Sequence, residues 1–298
     1  MPGVPLTNEQ RFALIQKYIE RMPSLSTTVT KVLEVCNRPS TSANDLNRVI
    51  ALDPVLTGQV LKLINSAYYS LPNQISSLTR AIIMLGINTV KNLALSTAVL
   101  GSMGRQDSFR SLSMDAFWTH SLCVGVLAKA LAGLKKIPGM MQEEFFVAGL
   151  LHDLGKIPLN NCFAEEYRQA LELSTIEQGS LPKAEEIMLG FDHGHAGKMI
   201  ADKWQLSQAL TELLRFHHSP ENASPNNRQL ISVVALANAY ANLFDVGSAG
   251  DRFPDTSRVD ELLLQVGLKW HDLSSLHAVV EQEIEKAQVF LQIAREAA

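Results

Sequence analysis

Apolar residues recur at helical spacing almost from end to end of this chain. No stretch alternates polar and apolar residues as a half-buried strand would. Leu56, Val60, Leu63 and Ile64 share one helix face, and Leu210, Leu213 and Leu214 share another. Near the end, Leu276, Val279, Val280, Ile284, Ala287 and Phe290 form a third stripe. Stripes of this kind have to be buried helix against helix, so the expected fold is all-α. Local signals agree: Asp53 offers an N-cap oxygen and Pro54 suits the first helical position. The pattern predicts helices near 78–85, 115–134, 143–154, 194–204, 207–217, 228–246 and 274–296. Gly101–Phe109 reads as a linker and Gly247–Ser257 as a surface loop. At 298 residues the chain exceeds a usual single domain, so one large or two closely packed helical domains are expected. Along the sequence this gives an N-terminal helical subdomain over 1–105, a core over 106–250 and a C-terminal helical extension over 251–298.

A net charge of -4 and a pI near 6.1 argue against bulk attraction to nucleic acid or to anionic membranes. The helices that meet at Gly86 resemble a helix-turn-helix in outline. The second one, however, offers only Lys91 and Asn92 to bases or phosphates, so core packing is expected there and direct nucleic-acid binding is not. Cys36, Cys123 and Cys162 are odd in number, far apart and set among apolar residues. Buried free thiols in a reducing compartment are expected. The first ten residues lack a basic stretch followed by an apolar core, and no uninterrupted apolar run reaches the roughly 18 residues that span a bilayer. The expected location is the cytoplasm, without a membrane partner.

All eight histidines lie at or after position 120, so chemistry is expected in the second half of the chain. The sharpest element is Leu150-Leu151-His152-Asp153-Leu154-Gly155-Lys156, where an imidazole and a carboxylate sit side by side at the end of an apolar helix. Gly155 reads there as the helix stop. Buried polar groups need partners, and a divalent cation is one. The alternative is a helix-end histidine bonded to a carbonyl, with Asp153 capping the next turn. His271-Asp272 has the same dipeptide without the surrounding pattern and reads as surface polar chemistry.

Other histidines keep company with the pair. His120 lies in a helix with Val124, Leu127 and Leu131. His193 opens a helix, and His195, roughly 200° further around, faces the opposite way, so only one of those two is a candidate ligand. His217-His218 closes a helix, where the alternative to ligation is a favourable interaction with the helix dipole. Asn238 shares an inward stripe with Ile231, Val234 and Ala235. It is a weak ligand, a partner to a histidine or a bridge between helices.

Together, His120, His152-Asp153, His193, His217-His218 and Asn238 resemble in order and spacing the HD superfamily of metal-dependent phosphohydrolases, especially the HD-GYP branch. Asp53-Pro54-Val55-Leu56 through Asn65-Ser66-Ala67 and Ala81-Ile82-Ile83-Met84-Leu85-Gly86 are similar to the HDOD relatives of that branch. So are Asp192-His193 with Gly197, and Trp204, over roughly residues 20 to 220. The resemblance implies an HD-type helical bundle with an added N-terminal helical subdomain, in a bacterial signalling or regulatory protein. It implies one or two divalent transition-metal ions (Fe, Mn or Zn) on His120, His152, Asp153, His193, His217, His218 and, weakly, Asn238. Six of the seven metal positions hold a ligand-competent side chain, more than the HDOD family usually keeps. Position 238 is Asn where the hydrolases carry Asp, and Ser219-Pro220-Glu221-Asn222-Ala223 lacks the acidic and Gly-Tyr-Pro elements of the active branch.

Three readings follow. The first is a regulatory protein whose pocket holds metal and binds a phosphorylated small molecule or nucleotide, with a protein partner in signalling. The second is an active phosphodiesterase or phosphatase, in which Asp153 bridges metals and Lys156 neutralises phosphate. The third is a metal-free scaffold that presents the helices of residues 20–100 to a partner.

Overall fold

A computed structural model describes residues 6–103, 111–253 and 256–297, and the described residues form helices and turns without strands. In chain order the helices are α1 (Asn8–Arg21), α2 (Thr27–Cys36), α3 (Ala43–Ile50), α4 (Pro54–Ile64), α5 (Leu78–Leu85), α6 (Ile87–Met103), α7 (Met114–Leu134) and α8 (Gly139–Leu151). They continue with α9 (Lys156–Cys162), α10 (Ala164–Glu177), α11 (Leu181–Leu189), α12 (His193–Trp204), α13 (Gln208–Phe216), α14 (Pro225–Leu243), α15 (Thr256–Val266) and α16 (Trp270–Ala297). The all-α expectation holds, and the predicted helices appear with shifted ends. One boundary differs more. Gly101–Met103 belongs to α6, because Val99, Leu100 and Met103 continue its buried stripe, while the rest of the predicted linker lies outside the described residues.

The chain divides into two compact units, each assembled from separate stretches of sequence. One contains Ser24–Arg105, Leu122–Leu150 and Lys269–Ala298. Within it, Asp53 accepts a hydrogen bond from the Leu56 amide at 2.9 Å and Pro54 opens α4, as the sequence predicts. Its aromatic centre joins Tyr68, Phe146 and Phe290, with ring centroids 4.8 to 5.4 Å apart. The stripe on the last helix is therefore core at Leu276, Val280, Ala287 and Phe290, while Ile284 is half-buried and Val279 is exposed, which corrects its place in the stripe. Backbones approach closely where α7 meets α8: a Cβ on Gly149 would lie 2.7 Å from the Gly125 backbone. Gly58 of α4 has open space around it. Gly58→Ala is therefore expected to stabilise the protein by about 0.5–1 kcal/mol in chemical denaturation, since alanine restricts the unfolded chain at no steric cost.

The other unit contains Met1–Pro23, Gln106–Ser121 and Leu151–Leu268. The C-terminal end of α1 is tied down by α12: the Lys203 ammonium donates to the carbonyls of Ile19 and Glu20 at 2.9 Å, and Trp204 Nε1 donates to Pro23 O at 3.1 Å. A cation at the end of α1 meets its unsatisfied carbonyls and the negative end of its dipole.

Helix α7 has the length and composition to cross a bilayer, but 72% of that stretch is buried inside the protein and it carries His120 and Lys129. The three cysteines are free; Cys123 is buried, while Cys36 and Cys162 are only partly so, which corrects the expectation that all three are buried. Burial pushes the Cys123 thiol up to about 12. Alkylation at neutral pH, read by peptide mass mapping, is therefore expected to leave Cys123 unmodified until the protein is denatured, because the thiolate is the reactive form.

Candidate metal centre

Separate elements of the second unit bring the predicted site residues together. His120 projects from α7, where the loop at Gly247 (φ +66) seats against it. A Cβ on Gly247 would lie 2.4 Å from His120 N, and Ser248 N donates to Ala116 O at 2.9 Å. Helix α8 stops at Leu151, and His152–Gly155 form a turn leading into α9, which begins at Lys156. Gly155 is not the left-handed stop expected from sequence: its φ of -63 and ψ of -20 suit any residue. It is glycine because α12 passes directly over it, with His193 O where a Cβ would be. His193 opens α12 behind its Asp192 cap, His217 and His218 follow α13, and Asn238 lies within α14.

Asp153 is fully buried and stands between two groups of imidazoles. Its Oδ1 lies 3.3 Å from His193 Nε2 and 3.5 Å from His217 Nε2. His193 Nε2 is in turn 3.2 Å from His217 Nε2 and 3.0 Å from His218 Nε2. Oδ2 faces the other way, 2.8 Å from Lys156 Nζ, 3.2 Å from His152 Nε2 and 3.9 Å from His120 Nε2. Burial alone would raise the carboxyl pKa, but His152 and Lys156 hold it well below the usual carboxylate range. Asp153 is therefore an anion.

Tautomers test whether the first group fits a cation. His217 Nδ1 lies 3.2 Å from Leu213 O, and a carbonyl only accepts, so the proton is on Nδ1 and Nε2 presents a lone pair. Glu185 Oε2 accepts from both the His193 amide, at 2.8 Å, and His193 Nδ1, at 2.7 Å, which leaves the neutral ring's lone pair on Nε2 as well. Asp153 Oδ1, also an acceptor, has no hydrogen bond within this group. One proton on His193 Nε2 satisfies a single contact and leaves the others acceptor to acceptor. A metal with ligand bonds of about 2.0–2.2 Å has neighbouring ligand atoms about 2.8–3.6 Å apart, across octahedral to tetrahedral arrangements. The three separations from His193 Nε2 and that between Asp153 Oδ1 and His217 Nε2, 3.0 to 3.5 Å, fall in that range, and all four ligand atoms lie within 4.8 Å of one another. Imidazole and carboxylate donors suit Zn, Fe or Mn, so the residues fit the group.

The HDOD domain model matches residues 22–220, the stretch that carries the sequence resemblance. This chain belongs to the HDOD family. An HDOD domain protein of unknown function from Geobacter sulfurreducens superposes with a TM-score of 0.75 at 23% identity, covering 95% of this chain and 99% of that one. A candidate phosphohydrolase from Shewanella amazonensis SB2B superposes with a TM-score of 0.68 at 22% identity, covering 96% and 98%. An uncharacterized protein of Treponema pallidum (strain Nichols) is 24% identical over 242 residues, which is 81% of this chain. The match spans 46% of that relative's length.

Around this HDOD centre, the other polar residues have partners of their own. His195 turns away from His193: its Nδ1 donates to Asp192 at 2.8 Å and Arg215 donates to its Nε2 at 3.0 Å. His271 is exposed, and Asp272 accepts from the Lys269 amide at the start of α16, so that dipeptide is surface chemistry. Asn238 contacts His120, with Oδ1 2.9 Å from Nε2. Sequence reasoning missed Glu185, which is fully buried and orients His193. Its signal was legible: a carboxylate on the same stripe of α11 as Leu181 and Leu189, where only apolar side chains belong without a partner.

Burial pushes the imidazoles of His120 and His217 down to about 3 and about 4. With depressed values, the folded state binds fewer protons than the unfolded chain, so this stability is complete above the ordinary histidine pKa near 6.5 and is lost as pH falls toward 4. His218, also lowered by burial, acts in the same direction. His193 has the opposite sign: burial lowers it, but the charge and hydrogen bond of Glu185 together with the charge of Asp153 leave it raised. Chelator-treated protein is thus expected to melt at lower temperature at pH 5 than at pH 7. A flat profile would show these rings to be solvated.

Proposed function

We propose that this HDOD chain is a bacterial regulatory protein whose pocket holds a divalent transition metal and there binds a phosphorylated ligand, small molecule or nucleotide. The observation that carries the reading is the convergence of Asp153, His193, His217 and His218, whose ligand atoms all lie within 4.8 Å of one another, with Asp153 Oδ1 and His217 Nε2 facing each other as two acceptors. A divalent ion supplies a Lewis acid for phosphoryl oxygens and acidifies a bound water. Glu185 fixes the tautomer of His193, and Lys156 keeps a positive charge beside Asp153. His218, the partly exposed member, gives the group its edge toward solvent. A protein partner in signalling belongs to the same reading.

Turnover is the second reading, and retention of this complete His/Asp group favours it. Binding is preferred because the amide at 238 supplies no charge and the ligand side chains other than His218 are buried. Metal analysis of protein purified without chelator tests the reading: about one ion per chain is expected, and roughly 0.2 or less would overturn it. Hydrolysis of a generic phosphodiester with added Mn or Fe separates the two readings. A rate that Asp153→Ala leaves unchanged would remove turnover.

A further inference from the structure

The two groups that share Asp153 are not equivalent. We propose that this chain binds a single ion, on Asp153, His193, His217 and His218, and that Lys156 and Asn238 occupy the roles a second ion would need beside His120 and His152. The inference rests on the metal-binding reading above.

In the group of His193, His217 Nε2 and Asp153 Oδ1 face each other as two acceptors with no proton between them. In the group of His120, the protein supplies its own donor. Asp153 Oδ2 already accepts from the Lys156 ammonium at 2.8 Å, and both residues are fully buried. A dication on that oxygen, at about 2.0–2.2 Å, would lie within a few ångströms of a fixed positive charge in a low-dielectric interior. Asn238 closes the other side. Its Oδ1 lies between two nitrogens, Asn242 Nδ2 at 3.3 Å and His120 Nε2 at 2.9 Å, and accepts from both. An amide oxygen only accepts, so His120 Nε2 carries a proton and directs it at Asn238. The lone pair is left on Nδ1, which has no hydrogen-bond partner. This side thus has one carboxylate oxygen already paired and an imidazole that presents a proton. The other side has an anionic oxygen and lone pairs.

The test uses the full chain loaded with excess Mn2+ and desalted, with metal per chain read by mass spectrometry and the spin state by electron paramagnetic resonance. One Mn2+ per chain with the spectrum of an isolated ion is expected. Two ions per chain, or an exchange-coupled pair, would overturn the proposal and leave the metal-binding reading intact; no bound ion would remove both. Two variants locate the ion, each checked for folding by circular dichroism. His218→Ala is expected to weaken Mn2+ binding roughly 100-fold or more, and His120→Ala by less than about 3-fold. A folded His120→Ala protein that loses its ion would equally sink the assignment. If either variant fails to fold, the stoichiometry and spectrum of the unaltered protein decide alone.

Discussion

Asp153→Ala is expected to remove the metal and a large part of the stability together. The carboxylate is fully buried, accepts from Lys156 at 2.8 Å and contributes Oδ1 to the His193 group. Without it the Lys156 ammonium remains buried with no counter-charge beside it, and breaking such a pair from one side costs about 3–5 kcal/mol. Metal content should fall from about one ion per chain to under about 0.1, because the remaining ligands carry no charge to offset the ion's desolvation. The double variant Asp153→Ala/Lys156→Met separates the two losses. Taking away both charges restores most of the stability, since the penalty lies in the orphaned ammonium, but it does not restore the metal. Urea unfolding and metal analysis of the three proteins read both effects. A single variant that keeps its ion, or a double variant no more stable than the single, would contradict this account of Asp153.

Gly155→Ala should be nearly as damaging, by steric means alone. The backbone at 155 has ordinary right-handed helical angles, so alanine loses nothing in conformation there. Its methyl group, however, would lie 1.9 Å from His193 O and 2.6 Å from Gly197 N, both backbone atoms of α12. No rotamer relieves such a clash, so the first turn of α12 has to move and carry His193 with it. Overpacking costs about 1–3 kcal/mol where side chains can adjust, and here about 3 kcal/mol or more is expected. Displacing His193 from Asp153 and Glu185 should also weaken metal binding by roughly 100-fold. Thermal melting and metal titration check the two effects. A variant with unaltered stability would show that α12 stands farther from the turn than these distances place it.

Much of this molecule is legible in one dimension. The stripes around Leu56–Ile64 and Leu210–Leu214 specify helices because their spacing matches the helical repeat, a property of consecutive residues. Asp53 and Asp192 cap the helices that follow them, for the same local reason. His120, His152, Asp153, His193, His217 and His218 could be named as a group because metal-type chemistry uses few residue kinds, and their order resembles a known family. Geometry also ruled His195 out as a companion to His193, since neighbours two apart on a helix face opposite ways.

Contacts between residues remote in sequence were decided only by the folded chain. The amide at 238 meets His120 across 118 positions, and this sets which nitrogen of that imidazole carries its proton. Glu185 acquires its role because the turn after α11 brings the His193 amide and ring, at the start of α12, within hydrogen-bond reach of it, and Gly155 from the passage of α12 over it. Phe290 joins Tyr68 and Phe146 because the last helix packs back among the early ones. Amino-acid order thus determined which segments coil and which side chains could bind a cation, since both depend on near neighbours and intrinsic chemistry. The pairing of Asp153 with one set of imidazoles on each oxygen, and with Lys156 on one side only, came from tertiary packing, because burial and distance exist only once the helices meet.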